Sequence, residues 1–184
     1  MKRQICLIIF LCFYALDMLA QNTISTAIDL GIKSAPFTYS NTLNTNNFTN
    51  NFTGLSTKDV FYKFTLTQPM DIIINHCGSE LMDTYLYVLS SNGSILYENN
   101  DDLIERVCPN RFNSYLKIKN LPAGTYFVVS EGVVANGNIT TNIEGSLSSP
   151  TPGESTTYPI YIYGSGFLYK DYDYTQQWIF SSIT

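Results

Sequence analysis

Histidine, cysteine and basic residues are all scarce in this sequence of 184 residues. It has one histidine, four cysteines, and ten lysines and arginines against fifteen aspartates and glutamates, which gives a formal net charge of −5 at pH 7. A phosphate backbone attracts basic patches, so this acidic chain is not expected to bind nucleic acid. A structural zinc site of four ligands is not expected either, because Cys6 and Cys12 lie in an apolar N-terminal run, and Cys77, Cys108 and one histidine are too few to supply it.

The first twenty residues have the pattern of a secretory signal peptide. Lys2 and Arg3 precede an apolar run from Ile5 to Leu16, and Ala20 lies before a polar start. The run is shorter than the roughly 20 apolar residues that cross a bilayer, so it does not predict a transmembrane segment. We therefore expect residues 1–20 to be removed on export, and the protein to be secreted or held at the cell surface. The alternative is a buried apolar element at the N-terminus.

Removal of the signal peptide leaves Cys77 and Cys108 as the remaining cysteines. Two cysteines in an oxidising compartment most simply form one disulfide. Closing a loop of this length would stabilise the folded state by about 3–4 kcal/mol. Two buried free thiols are the alternative.

The sequence after the signal peptide alternates short β-branched and aromatic runs with turns rich in Asn, Gly, Ser and Pro, which predicts strands. In Asp59–Leu66 every second residue from Val60 is apolar, and the turn at Ser91–Ser94 contains the Asn-Gly pair typical of hairpins. We predict an all-β fold, an antiparallel jelly-roll-like β-sandwich. After a first strand within Ile28–Asn41, and a long loop or an irregular edge at Asn41–Thr53, the predicted strands are Asp59–Leu66, Met70–Asn75, Thr84–Leu89, Ile95–Tyr97, Ser114–Lys119, Thr125–Ser130 and Asn138–Leu147.

Composition also sets the predicted domain boundaries. Residues 21–147 form the sandwich, and residues 148–157, which are rich in Pro, Ser and Thr, form a linker. Residues 158–184 begin with an alternation similar to that of Ile28–Asn41. They are either the start of a truncated second repeat or a C-terminal strand and tail of the one domain.

Four segments, in this order, resemble the bacterial pre-peptidase C-terminal domain family: Asp59–Phe64, Asp83–Val88, Asn99–Asp102 and Ala123–Val129. The resemblance covers roughly residues 23 to 147. It implies a jelly-roll-like β-sandwich attached to secreted bacterial proteins, often peptidases. In that family the domain is non-catalytic, and some members bind collagen or polysaccharide or take up calcium. We expect no peptidase domain before this one, which would depart from the usual setting of the family.

The segment Asn99–Asp102 is the candidate metal site of the sequence. Calcium prefers carboxylates, amide oxygens and backbone carbonyls, and an acidic loop beside strand ends supplies these groups. The candidate calcium ligands are Asp59, Asp83, Asn100, Asp101 and Asp102. The alternative is an acidic turn that is simply solvated.

His76 is the one histidine, and therefore the one candidate base for a Ser–His–Asp or Cys–His hydrolase. No serine lies in a Gly-x-Ser-x-Gly turn, and an oxidised Cys77 is not a nucleophile. We therefore expect no catalytic residue, and no cofactor other than calcium. A small secreted hydrolase that uses His76 or the acidic loop is the enzyme alternative.

The leading hypothesis is a non-catalytic, exported module that binds a partner or acts as a spacer. The partner would be a polysaccharide, an extracellular matrix protein or a partner domain. Outward-facing tyrosines offer apolar area with a polar tip, and would suit such partners; the tyrosines on predicted strands are Tyr62, Tyr85, Tyr87, Tyr97, Tyr115 and Tyr126. A structural repeat of a truncated, larger adhesin-like protein is the alternative.

Overall fold

The computed structural model describes residues 23–148. The predictions for residues 1–20, for residues 149–157 of the linker and for residues 158–184 lie outside this range. Within it the chain forms nine β-strands and one 3-10 turn at Thr45–Asn47. The strands are β1 (Ile28–Lys33), β2 (Phe37–Asn44), β3 (Asp59–Leu66), β4 (Met70–Asn75), β5 (Thr84–Leu89), β6 (Ile95–Asn99), β7 (Tyr115–Leu121), β8 (Gly124–Gly132) and β9 (Asn138–Leu147).

The nine strands form two sheets that pack face to face. One sheet has the order β1-β3-β8-β5-β6, and the other has the order β2-β9-β4-β7. Every neighbouring pair is antiparallel except β1 and β3, which run parallel. The predicted all-β sandwich is confirmed, with a parallel pair at one edge. From Asp59 onward each predicted strand agrees with an observed one to within two residues at either end.

The core between the sheets is built from the inward-facing side of each strand. The predicted face of β3, which comprises Val60, Tyr62, Phe64 and Leu66, lies wholly in this core. Residues of β4, β5, β8 and β9 fill the rest, including Ile72, Leu86, Val128 and Ile143. The strict alternation of apolar residues in β3 therefore predicted its buried face correctly, because successive side chains of a strand point to opposite faces of the sheet.

The outer face of the five-stranded sheet is also apolar, which a simple sandwich would leave in water. Phe61, Tyr87, Leu89, Phe127 and Val129 form a second buried cluster there. It is covered by the segment Thr49–Lys58 between the 3-10 turn and β3, which we call the strap. The Phe52 ring of the strap lies 6.1 Å from that of Phe61 and 4.6 Å from that of Tyr87.

The prediction of one strand in the N-terminal part of the domain is wrong. Residues 28–41 form two strands: β1 joins the first sheet and β2 the second, with the turn Ser34–Pro36 between them. Residues 41–44, at the start of the segment predicted as a loop or an irregular edge, belong to β2, which is the edge strand of its sheet and pairs there with β9. Side-chain hydrogen bonds such as Thr42 to Thr140, 2.8 Å, support this Asn- and Thr-rich strand pair. Polar composition suggested a loop, but cross-strand pairing determined the structure.

Cys77 and Cys108 form the predicted disulfide, with an S–S distance of 1.98 Å and a Cα–Cα distance of 4.9 Å. Cys77 follows β4, and Cys108 lies in the long loop between β6 and β7. The bond therefore ties the start of one loop to the middle of another at the same end of the sandwich.

Replacing both cysteines with serine should destabilise the domain. The bridge closes a sequence separation of 31 residues, and losing it restores chain entropy to the unfolded state worth about 3–4 kcal/mol. Urea unfolding of the double variant Cys77→Ser/Cys108→Ser, beside the oxidised parent, measures this loss. Equal unfolding free energies would contradict the assignment of a stabilising role to the bond.

Candidate functional site

The structure places His76 next to a serine, but seals both from solvent. His76 Nε2 lies 2.9 Å from Ser130 Oγ, and Ser130 Oγ lies 2.9 Å from Thr141 Oγ1. All three side chains are fully buried. They join the two sheets, since Ser130 is on β8 whereas His76 follows β4 and Thr141 is on β9.

This pair lacks what nucleophilic catalysis needs. His76 Nδ1 has no hydrogen-bond partner, so no carboxylate orients the ring. Burial lowers the pKa of His76 to about 3, and an imidazole this weakly basic is a poor proton acceptor near neutral pH. A substrate has no path to a serine with no exposed surface. The alternative of a hydrolase that uses His76 as its base therefore lacks an open site in this structure.

Two buried carboxylates lie opposite each other beneath the strap. Asp59 of β3 pairs directly with Glu131 of β8, and neither side chain is exposed. Asp59 Oδ2 accepts hydrogen bonds from the backbone N–H groups of Asn51 and Phe52, at 3.0 and 2.9 Å. The strap hydroxyl of Thr57 lies 3.4 Å from Glu131 Oε2. Both acids therefore hold the strap on the sheet.

Their burial shifts both carboxyl groups toward the neutral form. Burial raises the pKa of Glu131 to about 7, and the charge of Asp59 opposite adds to the effect. Burial also raises the pKa of Asp59. Space for these groups depends on Gly54 of the strap, since a Cβ there would lie 2.4 Å from the hydroxyl oxygen of Tyr87 and 2.7 Å from Glu131 Oε1. Sequence reasoning missed Glu131 altogether.

The acidic loop divides into a structural part and a free part. Asp102 Oδ1 accepts a hydrogen bond from the backbone N–H of Arg106, and Oδ2 accepts one from that of Cys108, each 2.7 Å long. Both oxygens therefore organise the loop that carries the disulfide. The backbone carbonyl of Asn100 accepts a hydrogen bond from the Ser114 hydroxyl at 3.1 Å.

Asp83 and Asp101 are the two predicted ligands that the structure brings together with free oxygens. Asp83 Oδ1 and Asp101 Oδ1 are both buried and have no hydrogen-bond partner. Burial raises the pKa of Asp83, and the negative charge of Asp101 raises it further. Asp59 lies beneath the strap, where its Oδ2 is held by the strap backbone and its Oδ1 is also buried without a hydrogen-bond partner. Among residues 23–148 no three His, Cys, Asp or Glu side chains are grouped closely enough to hold a metal ion, and the calcium site stays a prediction.

An apolar pocket of about 260 Å³ opens beside Asp83, where the β4–β5, β6–β7 and β8–β9 loops meet. Backbone hydrogen bonds fix these loops together: Thr84 N–H donates to Phe112 O, and Val133 N–H donates to Asp83 O, each 3.1 Å long. We call it the loop-end pocket; it is lined by Leu81, Met82, Asp83, Phe112, Val134 and Ala135. No sequence motif pointed to it.

The predicted tyrosine platform is not present as an open surface. Tyr62, Tyr87 and Tyr126 are buried, and Tyr85 is half-buried with its ring stacked on that of Tyr87, the centroids 4.6 Å apart. Tyr97 is the exposed member of the set. The tyrosines of this domain are mainly structural.

Comparison with known proteins gives a structural similarity. No family model and no curated protein matches the sequence. Among solved structures, the chain is similar to the pre-peptidase C-terminal domain of collagenase from Bacillus anthracis, with a TM-score of 0.40 and 12% identity. The match covers 65% of this chain and 93% of that one.

The buried Glu131 should contribute a loss of stability as pH rises, against an opposite contribution from the buried His76. The pKa of Glu131 is about 7 in the folded state against 4.5 for an ordinary glutamate, so its contribution to the free energy of unfolding falls by up to about 3 kcal/mol between these values. The pKa of His76 is about 3 in the folded state against 6.5 for an ordinary histidine, so its contribution rises with pH up to about 6.5, and the parent's free energy of unfolding should be nearly level from about pH 4.5 to 6.5. Urea unfolding at a series of pH values from 4 to 8, a range chosen to bracket about 4.5–7, measures the slope.

Glu131→Gln should leave a free energy of unfolding that rises with pH up to about 6.5, because the amide stays neutral and the His76 contribution is no longer opposed, and should be more stable than the parent above about pH 7. Glu144→Gln, at an exposed position on β9, is the matched control and should keep the parent's slope. A Glu131→Gln slope equal to the parent's would contradict the assignment.

The calcium prediction is tested by thermal unfolding. An ion bound at Asp83 and Asp101 stabilises the folded state by mass action, so the melting temperature should be higher in millimolar calcium chloride than in chelator. Asp101→Asn should remove the difference. Equal melting temperatures of the parent in the two buffers would contradict the prediction.

Proposed function

We propose that this chain is a non-catalytic module that is exported and acts by binding an extracellular protein. The observation that carries the proposal is the set of exposed apolar side chains on the loops at one end of the sandwich. Met82, Phe112 and Val134 are 76, 52 and 83% exposed, and they stand together around the loop-end pocket. Single exposed apolar residues are ordinary, but a group of them around a concavity is typical of an interaction site.

A protein partner fits this surface better than a polysaccharide does. Sugar rings are usually stacked on exposed aromatic faces, and the exposed aromatic side chains of residues 23–148 are Tyr97 and Phe112. The loop end instead presents mixed aliphatic and aromatic groups, with Leu103, Ile104 and Val107 exposed on the same long loop as Phe112. Surfaces of this composition match the apolar centre of protein interfaces.

The absence of catalysis is supported by the closure around His76. The one histidine of the chain is fully buried, and the raised pKa of Glu131 belongs to a carboxyl that the strap covers completely. Perturbed acids mark catalytic sites when they lie in a cleft. The perturbed His76 and Glu131 are interior groups that hold the fold together.

Export is supported by the disulfide and by the N-terminal sequence. A structural disulfide is stable in oxidising compartments and rare in the cytosol. Lys2, Arg3 and the apolar run that follows them have the pattern of a signal peptide. In the part of the chain that the structure describes, no helix has the length and apolar character needed to cross a membrane.

The proposal is tested by a sedimentation assay with the purified, disulfide-bonded protein. Gelatin-coated beads present an extracellular polypeptide, and chitin and cellulose powders present polysaccharides. We expect saturable binding to gelatin and none to the powders. Val134→Ser should reduce gelatin binding, whereas Ile32→Ser, which removes a similarly exposed apolar group (74%) from β1, should not.

The same protein should not turn over casein or p-nitrophenyl acetate above the rate of the unfolded chain. Turnover that is lost in His76→Ala would overturn the non-catalytic assignment. Binding to the polysaccharides alone would overturn the choice of a protein partner.

A further inference from the structure

Without the predicted signal peptide the chain has two methionines, and their surroundings are opposite. The sequence has four methionines, of which Met1 and Met18 lie in the predicted signal peptide. Met70 of β4 is 0% exposed in the core between the sheets, whereas Met82 in the β4–β5 loop is 76% exposed. A small solute can therefore reach the thioether of Met82 but not that of Met70.

The backbone at Met82 is held in place although its side chain is open. Asn110 Nδ2 donates a hydrogen bond to the backbone carbonyl of Met82 at 2.6 Å, and Asn113 Nδ2 donates one to that of Leu81 at 3.2 Å. The backbone N–H of Leu81 donates to the backbone carbonyl of Asn138, also at 3.2 Å. The loop therefore presents the Met82 side chain from a fixed position.

Met82 forms part of the loop-end pocket, which Phe112 and Val134 also line. These three exposed side chains belong to the apolar surface on which the proposed binding rests. Methionine is flexible and apolar, with a polarisable sulfur, and is frequent at surfaces that bind other proteins. A change in the polarity of this one sulfur atom therefore changes the surface that a partner meets and leaves the core untouched.

We propose that Met82 Sγ is an oxidation site for peroxides, and that its oxidation weakens binding of the protein partner at the loop-end pocket. The proposal rests on the proposed function and adds its regulation. Oxidation of methionine to the sulfoxide places a polar S–O group on an apolar side chain. A partner that packs its apolar surface on Met82 would have to desolvate this group without a hydrogen bond in return, which costs free energy.

The reaction needs no catalytic residue. The sulfur of Met82 attacks one oxygen of hydrogen peroxide, so that an S–O bond forms as the O–O bond breaks. The second oxygen leaves as hydroxide, and takes the proton of the new S–OH group to become water. The sulfur is oxidised by two electrons and the peroxide is reduced by two, which gives the sulfoxide and one molecule of water.

The oxidation site is tested by treating the folded, disulfide-bonded protein briefly with hydrogen peroxide. We expect tandem mass spectrometry to locate one added oxygen atom on Met82 and none on Met70. The same treatment in urea should oxidise both, because unfolding opens Met70 to the reagent. Equal oxidation of the two methionines in the folded protein, or an unmodified Met82, would overturn the site.

The effect on binding is tested with the gelatin beads and two variants. The oxidised parent should bind gelatin about tenfold more weakly than the untreated parent. Met82→Leu keeps the volume and apolar character of the side chain, so its binding should equal that of the untreated parent both before and after peroxide. Met82→Gln has a polar side chain of similar length, and without any treatment it should bind as weakly as the oxidised parent.

Two controls separate a local effect from damage elsewhere. Met82→Leu lacks the sulfur, so any loss of its binding after peroxide would come from another residue. The melting temperature of the parent should be the same before and after peroxide, because Met82 lies outside the core.

Three results would overturn the effect on binding. These are equal gelatin affinities of the oxidised and untreated parent, a loss after peroxide that persists in Met82→Leu, or a fall in melting temperature that parallels the loss of binding. Gelatin binding by the untreated parent separates these failures from that of the proposed function. If the untreated parent does not bind gelatin, the proposed function fails together with the effect on binding, and the oxidation of Met82 is still decided by mass spectrometry.

Discussion

The pairing of β3 with β8 is the interaction on which the rest of this structure depends. The two strands lie side by side within the five-stranded sheet and pair over eight residues, from Asp59 opposite Glu131 to Leu66 opposite Gly124. Apolar side chains project from both faces of this strand pair. Those on one face form the core between the sheets, and those on the other face are covered by the strap. The register also sets the polar groups: Ser130 of β8 meets His76 from the second sheet, and Glu131 next to it meets Asp59.

The register explains why the chemically suggestive residues of the chain are structural. Alternation along β8 sends Ser130 into the space between the sheets and Glu131 toward the strap. The side chains of His76 and Ser130 therefore lie within hydrogen-bond distance but are inaccessible to a substrate. The pKa values of Asp59 and Glu131 are raised, but these carboxyl groups do not lie in a cleft. The exposed apolar side chains lie on the loops beyond this strand pair. There the backbone N–H of Val133, directly after β8, donates a hydrogen bond to the backbone carbonyl of Asp83 and holds two of the loops together. Interior polar groups hold the sheets and the strap, and the loop end carries the exposed apolar side chains on which the proposed binding rests.

Local patterns in the sequence predicted much of the fold. The alternation of Asp59–Leu66, the Asn-Gly turn before β6 and the two remaining cysteines predicted strands and a disulfide that the structure confirms. Long-range contacts determined what these patterns missed. The division of Ile28–Asn41 into strands of different sheets depends on partners far along the chain. The burial of Glu131 depends on the strap; its one local signal was a glutamate within an otherwise apolar run. Of the five predicted calcium ligands, the structure brings Asp83 and Asp101 together with free oxygens and commits Asp102 to the backbone.

The claim that the polar interior is closed is tested most directly by the reactivity of the one histidine. Diethyl pyrocarbonate modifies accessible imidazoles, and the product is followed by its ultraviolet absorbance and by mass spectrometry. In the folded, disulfide-bonded protein His76 should be unmodified for as long as the fold persists, and it should react at once in denaturant. Rapid modification of His76 in the folded protein would contradict the closed Ser130–His76 pair, and with it the account of this chain as a module that binds without catalysis.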